Sequence, residues 1–265
     1  MYKIAIPSYK RPNLLATTTI PMLMVGNCKE IYLFINEDEE ESYREVLNNI
    51  DIKINYCLLK NCKGIGNVRN YIRNFFDVGD WIISIDDDIK GLYIGDEIIE
   101  DVNDFIFTGF EIAQNEGVKM WGVQLCSNPL FHKEGYTTNL TYINGSFTGV
   151  IISDEELTTD IDHFEDYLFS ILHFLRDGKL LKFTECWIKT KPFNKIGGIC
   201  QQLGGLDKRK QEAEENGMKL AGHFPDMMRL KYSKKYDVQN IRLNYKFKWS
   251  PDAAISGYNY LTDYI

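Results

Sequence analysis

The segment Trp81-Ile-Ile-Ser-Ile85 runs without a break into Asp86-Asp87-Asp88. A short, nearly all-apolar run of this kind reads as a strand buried on both faces, and such strands belong to helix-covered parallel sheets. Three adjacent carboxylates at its end repel one another and need positive compensation close by. In an open α/β sheet, ligands bind beyond the carboxyl ends of the strands. These eight residues therefore call for a covered sheet with something cationic at the mouth of one central strand.

The first 90 residues supply the rest of such a sheet. Met1 to Ile6 reads as a short buried strand ending at Pro7, and Pro12 opens a helical pattern that continues through Met24. Glu30 to Ile35 is a second strand, Glu39 to Asn49 a polar helix and Ile52 to Leu59 a third strand. Asn67 to Phe76 is a helix stopped by Gly79. This alternation predicts an α/β fold with a parallel sheet. Beyond it the spacing predicts a helix over Val102 to Glu116 and strands over Val118 to Cys126 and Thr148 to Ser153. An amphipathic helix over His163 to Arg176 presents Phe164, Leu168, Ile171, Leu172 and Leu175 on one side. A strand over Leu180 to Lys189 follows, then a mobile loop over Asn194 to Leu206 with four glycines. The chain closes with a charged helix over Asp207 to Asn216 and a final strand over Asn240 to Trp249. No repeat or linker divides it, so one domain over 1–265 is expected, with halves at 1–90 and 91–265.

Composition excludes other classes. With 44% hydrophobic and 26% charged residues the chain is neither disordered nor fibrous. No apolar run reaches the roughly 18 residues of a membrane span. Met1 to Lys10 has only a brief apolar stretch before Pro7 and does not read as a signal peptide. A cytoplasmic setting is expected, with Cys28, Cys57, Cys62, Cys126, Cys186 and Cys200 as reduced thiols, since none forms a CxxC pair. The sequons Asn139-Leu140-Thr141 and Asn144-Gly145-Ser146 carry no glycan in that setting.

Four constellations carry chemistry. In an extended backbone, Asp86 and Asp88 fall on one side with Asp87 opposed, so the outer pair can converge on a divalent cation. Oxygen ligands suit Mg2+ or Mn2+, and Mg2+ commonly takes one or two carboxylates plus substrate phosphates. A solvated acidic turn is the alternative. Gly64-Ile65-Gly66-Asn67-Val68-Arg69-Asn70 lies between a strand and a helix, where glycines and a helix start can approach an anion and Arg69 offers a fork of donors. Pro7-Ser8-Tyr9-Lys10-Arg11-Pro12 follows the first strand, with Tyr9 able to stack on a base and Lys10 or Arg11 able to meet phosphate. Glu165-Asp166 stands near a helix start, where carboxylates are favoured and one could serve as general base. Of the histidines, His163 and His223 are candidate ligands, while His132 and His173 have no constellation around them.

The order of these segments resembles a nucleotide-sugar glycosyltransferase of the GT-A fold. More closely, IPSYKRP, the Gly64 to Asn70 segment, DDDI and EDYLFSILHFLRDGKLLKF resemble the TET-associated glycosyltransferase family of phages, large viruses and some cellular genomes, over roughly residues 2 to 248. KTKPFNKIGG is similar too. The resemblance implies a GT-A, Rossmann-like, mostly parallel sheet with a nucleotide-binding half and an elaborated acceptor-side half. It implies a UDP-sugar donor bordered by Pro7, Ser8, Tyr9, Arg11, Asn36, Gly64, Arg69, Asp86 and Asp87. Asp86 and Asp88 would hold Mn2+ or Mg2+, and Asp166 or Glu165 would deprotonate the acceptor in an inverting displacement. The implied acceptor is a hydroxymethylpyrimidine in DNA.

Charge distribution bears on that acceptor. Residues 1–178 carry a net −15 and residues 179–248 a net +9, within a chain of net −8. Arg229, Lys231, Lys234 and Lys235 lie among Tyr232 and Tyr236, with Arg242, Lys246 and Lys248 following. Cations interleaved with aromatics suit phosphate contact and base stacking. A glycan, protein or small-molecule acceptor, or a non-catalytic nucleotide-binding module, are the alternatives.

Overall fold

The computed structural model describes residues 1–125, 127–153, 157–190, 206–233 and 238–264. Its centre is a ten-stranded sheet in the order β3-β2-β1-β4-β9-β7-β10-β5-β6, with β8 beside β10. The strands are β1 (Tyr2–Pro7), β2 (Ile31–Asn36), β3 (Ile54–Leu59), β4 (Trp81–Ile85), β5 (Ile89–Ile94), β6 (Glu97–Ile98), β7 (Met120–Gln124), β8 (Tyr136–Thr137), β9 (Phe147–Ile151) and β10 (Leu181–Thr190). Strands β1 to β4 pair in parallel, with Ile4 beside Ile31 and Tyr2 beside Trp81. Strand β9 runs antiparallel between β4 and β7, and β7 pairs in parallel with β10. The expected α/β class with a large, mostly parallel, helix-flanked sheet is the one observed.

Helices cover both faces because successive strand residues point to opposite sides. Ala5, Phe34, Ile82, Met120 and Val150 join a core with α4 (Ile65–Phe75) and α6 (Glu165–Asp177). Ile4, Leu33, Ile83, Ile85 and Trp121 join a second core with α1 (Pro12–Thr17), α2 (Thr19–Val25), α3 (Glu40–Leu47) and α5 (Val102–Glu116). Among the described residues, Cys28, Cys57, Cys62 and Cys186 are free thiols, and no helix is long and apolar enough to cross a membrane.

Several elements depart from the sequence expectation. The helix expected from Pro12 to Met24 breaks at Thr18, whose φ of −127° leaves the helical region. The break turns two hydroxyls under the aspartate loop: Thr18 Oγ1 donates to the Asp87 carbonyl and Thr19 Oγ1 to the Asp86 carbonyl, each at 2.8 Å. Strand β5 begins directly after Asp88 and had no sequence signal; its antiparallel pairing with β10 creates it. The charged helix runs Leu206–His223, well past Asn216. The single strand expected over Asn240 to Trp249 is corrected to an antiparallel ribbon of β11 (Met228–Ser233) and β12 (Val238–Leu243), followed by a helix over Pro251–Tyr264. The loop expected over Asn194 to Leu206 falls almost wholly outside the described residues, as do Lys234 and Lys235.

Candidate functional site

The sheet reverses its winding between β1 and β4, the switch point beside which ligands bind in α/β folds. The loops Pro7 to Arg11 and Asp86 to Asp88 are the two walls of that point. The two walls are tied together: Ser8 Oγ donates to Asp87 Oδ2 at 2.6 Å, and Arg11 Nη1 approaches Asp87 Oδ1 at 3.4 Å. Tyr43 from α3 meets Ser8 Oγ at 2.6 Å and accepts from the Arg11 amide. Asp87 and Ser8 are thus buried within the protein, and burial pushes the Asp87 carboxyl up to about 6. Tyr9 and Asn36 stay partly exposed on the same side, with Asn36 Nδ2 3.4 Å from Glu39 Oε1. Glu39, which sequence reasoning did not single out, is buried and accepts from the Lys10 amide at 2.7 Å.

Asp86 leaves the strand in the other direction, as the alternation of the triplet anticipates. Its Oδ1 lies 3.4 Å from Arg69 Nη2 and its Oδ2 accepts from Ser146 Oγ at 2.6 Å. Asp88 has no such partner, and burial, then the charges of Asp86 and Asp87, push it up to about 7. Three carboxylates with two arginines at their edges leave local negative charge for a cation to offset. Among the described residues no group of three or more His, Cys, Asp or Glu side chains could form a metal cage. Two carboxylates such as Asp86 and Asp88 could serve a hard cation only where other oxygens complete its shell, since Mg2+ commonly takes one or two carboxylates plus phosphates and water. His223 packs edge-on against Tyr260 and His163 against Phe164.

The glycine segment is used differently from the expectation. Gly64, at φ +87°, caps α4, and the Gly66 amide donates to Asp162 Oδ1 at 2.9 Å. A Cβ at Gly64 would fall 2.1 Å from the same carboxylate. The anion at this helix start is therefore a side chain of the chain itself. Arg69 projects from the next turn into the interior. Its Nη1 donates to Glu165 Oε1 at 2.7 Å while Nη2 faces Asp86, so one guanidinium bridges the β4 carboxylate and the start of α6.

Glu165 and Asp166 have distinct surroundings. Glu165 is buried behind Arg69, whereas Asp166 stays partly exposed. Asp166 Oδ2 accepts from Tyr142 Oη at 2.5 Å and from the Gly145 amide at 3.4 Å, and its Oδ1 accepts from the Tyr167 amide at 2.9 Å. Burial raises both carboxyls above their ordinary range, and Glu165 is raised further by the Asp166 charge, with Arg69 opposing both shifts. Tyr142 and Tyr167 stack at 4.0 Å beside them. Lys182 donates to the Tyr142 carbonyl at 2.8 Å. Among the described residues Arg69 Nε and Ser84 Oγ have no hydrogen-bond partner, and both residues line a cavity of about 40 Å³, room for ordered water.

On the ribbon, Arg229 and Arg242 face each other across the two strands, with Lys231 beside Asn240 on the same exposed face. The opposite face, Met228, Ile241 and Leu243, is buried.

No protein-family profile matches the chain, and no curated protein matches it. Similar solved structures include HddC from Yersinia pseudotuberculosis complexed with GMP-PN, at 13% identity and TM-score 0.44, covering 82% of this chain and 100% of that one. UDP-glucose pyrophosphorylase complexed with UDP-glucose is similar at 10% identity and TM-score 0.36, over 83% and 100%. Mouse xyloside xylosyltransferase 1 in its apo form is similar at 11% identity and TM-score 0.39, over 57% and 66%. At this distance the functional reading rests on the side chains of the chain itself.

Proposed function

We propose that the chain is a metal-dependent glycosyltransferase that moves a sugar from a nucleotide sugar, a UDP-sugar on the sequence resemblance, to the hydroxymethyl group of a modified pyrimidine in DNA, with inversion. The observation that carries the reading is the meeting of Asp86 and Glu165 on the Arg69 guanidinium, with Asp166 next along the chain, although 17 and 96 residues separate Arg69 from its two carboxylate partners. A glycosyl donor with a diphosphate leaving group needs charge neutralisation on one side of the reacting carbon and a base on the other.

Asp86 and Asp88 would hold Mg2+ or Mn2+ against the diphosphate, where the cation offsets the charge of the leaving group. Tyr9 would stack on the base of the nucleotide, with Arg11 and Asn36 beside it. Asp166 would take the proton of the acceptor hydroxyl. Its partial exposure supports that role over Glu165, which is buried and pinned by Arg69. The proton passes to the carboxylate as the hydroxyl oxygen joins the sugar carbon and the carbon–phosphate oxygen bond breaks. The Tyr142–Tyr167 stack beside Asp166 suits a flat acceptor, and the cationic ribbon suits a phosphate backbone. The pairing of β4 with β9 joins residues 1–90 to residues 91–265 in one sheet, which favours a single domain.

The test is incubation with a panel of nucleotide sugars, Mn2+ and hydroxymethylated DNA, read by nucleoside mass spectrometry and by nucleoside diphosphate release. A sugar-sized mass gain on the hydroxymethylpyrimidine is expected, with release lost in Asp88→Ala. Absence of diphosphate release from every donor would sink the transferase reading. Release with sugar found only elsewhere than on DNA would sink the acceptor alone.

A further inference from the structure

The turn Asn144-Gly145-Ser146 has no role in the chemistry above, yet it touches both carboxylates that the chemistry uses. Ser146 Oγ donates to Asp86 Oδ2 at 2.6 Å, and the Ser146 carbonyl accepts from the Asp86 amide at 3.0 Å. One residue earlier, the Gly145 amide faces Asp166 Oδ2 at 3.4 Å. One earlier still, Asn144 Nδ2 donates to Tyr142 Oη at 2.7 Å, and that hydroxyl donates to Asp166. The turn is itself locked: the Ser146 amide donates to Asn144 Oδ1 at 2.9 Å and Thr148 Oγ1 to the Asn144 carbonyl at 2.8 Å. The Arg69 guanidinium lies across it, so a Cβ at Gly145 would fall 1.5 Å from Arg69 Nη1.

We propose that this turn is a positioning element that sets the separation of Asp86 from Asp166. The proposal rests on the donor and base roles assigned above, and it adds the part that links them. Metal-binding carboxylate and base lie on different elements, β4 and α6, which no sheet pairing joins directly. Arg69 already bridges Asp86 to Glu165, and the turn adds a second tie that reaches Asp166 itself. Three consecutive residues bonded to both sides restrict the separation of Asp86 from Asp166. Misplacement of reacting groups by about 1 Å can reduce a rate about 100-fold. A side chain at 145 would have to displace the guanidinium that bridges Asp86 and Glu165.

The experiment uses the full chain with Ser146→Ala, Ser146→Thr and Gly145→Ala. For Ser146→Ala, kcat should fall about 100-fold with donor KM within about threefold, and Ser146→Thr should restore most of it. A merely structural role would instead lower the melting temperature without that split or that rescue. In the crystal structure of Gly145→Ala, Arg69 should leave residue 145 and the Asp86–Asp166 separation should change. An unaltered kcat in Ser146→Ala, or an Arg69 and carboxylate separation unmoved in Gly145→Ala, would overturn the proposal. The crystallographic arm needs no turnover, so it judges the turn even if the transferase reading fails. That reading fails separately if the wild-type chain releases no nucleoside diphosphate.

Discussion

Replacing Arg69 with methionine is the most informative single perturbation of this fold. Arg69 side-chain exposure is 12%, that of Glu165 10% and that of Asp86 28%. Removing one partner of a buried ion pair costs about 3–5 kcal/mol, because a charge is left without compensation. The Glu165 contact belongs to that regime, while the longer Asp86 contact lies nearer the surface regime of about 0–1 kcal/mol. Methionine fills the stem of the arginine and adds little packing loss. A loss of about 3–4 kcal/mol is therefore expected above about pH 8, where Glu165 is ionised beside Arg69. Glu165→Gln keeps a polar partner for Arg69 and removes one of two repelling carboxylates, so it should cost about 1 kcal/mol. The double variant should lose less than the sum, with a coupling of about 2 kcal/mol in a urea-denaturation cycle.

The pH dependence supplies a second check. Burial raises the folded-state pKa of Glu165 and Asp166 above the unfolded one. Their contribution to stability is then full below the unfolded carboxylate range and is lost as pH rises through the folded values. Arg69 opposes those shifts, so its removal raises the folded values further. The Arg69→Met deficit should change little between pH 5 and pH 7 and grow as pH rises through about 8, the folded value of Glu165 with Arg69 in place. A deficit no larger at pH 9 than at pH 7 would refute the claim that this guanidinium neutralises the buried pair.

Three further outcomes are expected. Asp166→Asn should lower kcat by about 10²–10⁴ with donor KM little changed, whereas Glu165→Gln should lose only about tenfold, read by steady-state release of nucleoside diphosphate. Lys182→Met should raise stability at pH 7 by about 2 kcal/mol: burial lowers the lysine to about 8, a penalty of about 3 kcal/mol for the charged amine, less about 1 for the lost hydrogen bond to Tyr142. That gain should vanish above about pH 11, where the unfolded lysine is also neutral, and denaturation curves at the two pH values check it. Arg229→Glu with Arg242→Glu should make the salt dependence of DNA affinity shallower by about two in log–log slope, measured by fluorescence anisotropy.

The periodic segments were legible because burial dictates them locally. Val102 to Glu116 is read correctly to the residue, and Trp81 to Ile85 can only be a covered strand before its aspartates. The alternation of Asp86 and Asp87 also follows from the pleat alone. The Thr18 break was hidden because its cause, two carbonyls of the aspartate turn, lies about 70 residues away in sequence. The start of α4 shows the same gap. Its glycines and arginine correctly announce an anion, but only the fold reveals that the anions are Asp162, Glu165 and Asp86.

By itself, then, the sequence determined the covered sheet, the acidic strand end and the presence of a carboxylate pair at a helix start. Each is set by neighbours in the chain, through side-chain period and local charge. The tertiary structure decided which of those charges meet. It buried Glu165, left Asp166 partly exposed and placed the Asn144-Gly145-Ser146 turn between Asp86 and Asp166. Contacts across 17 to 96 residues depend on how the strands are ordered in the sheet, and no local pattern encodes that order.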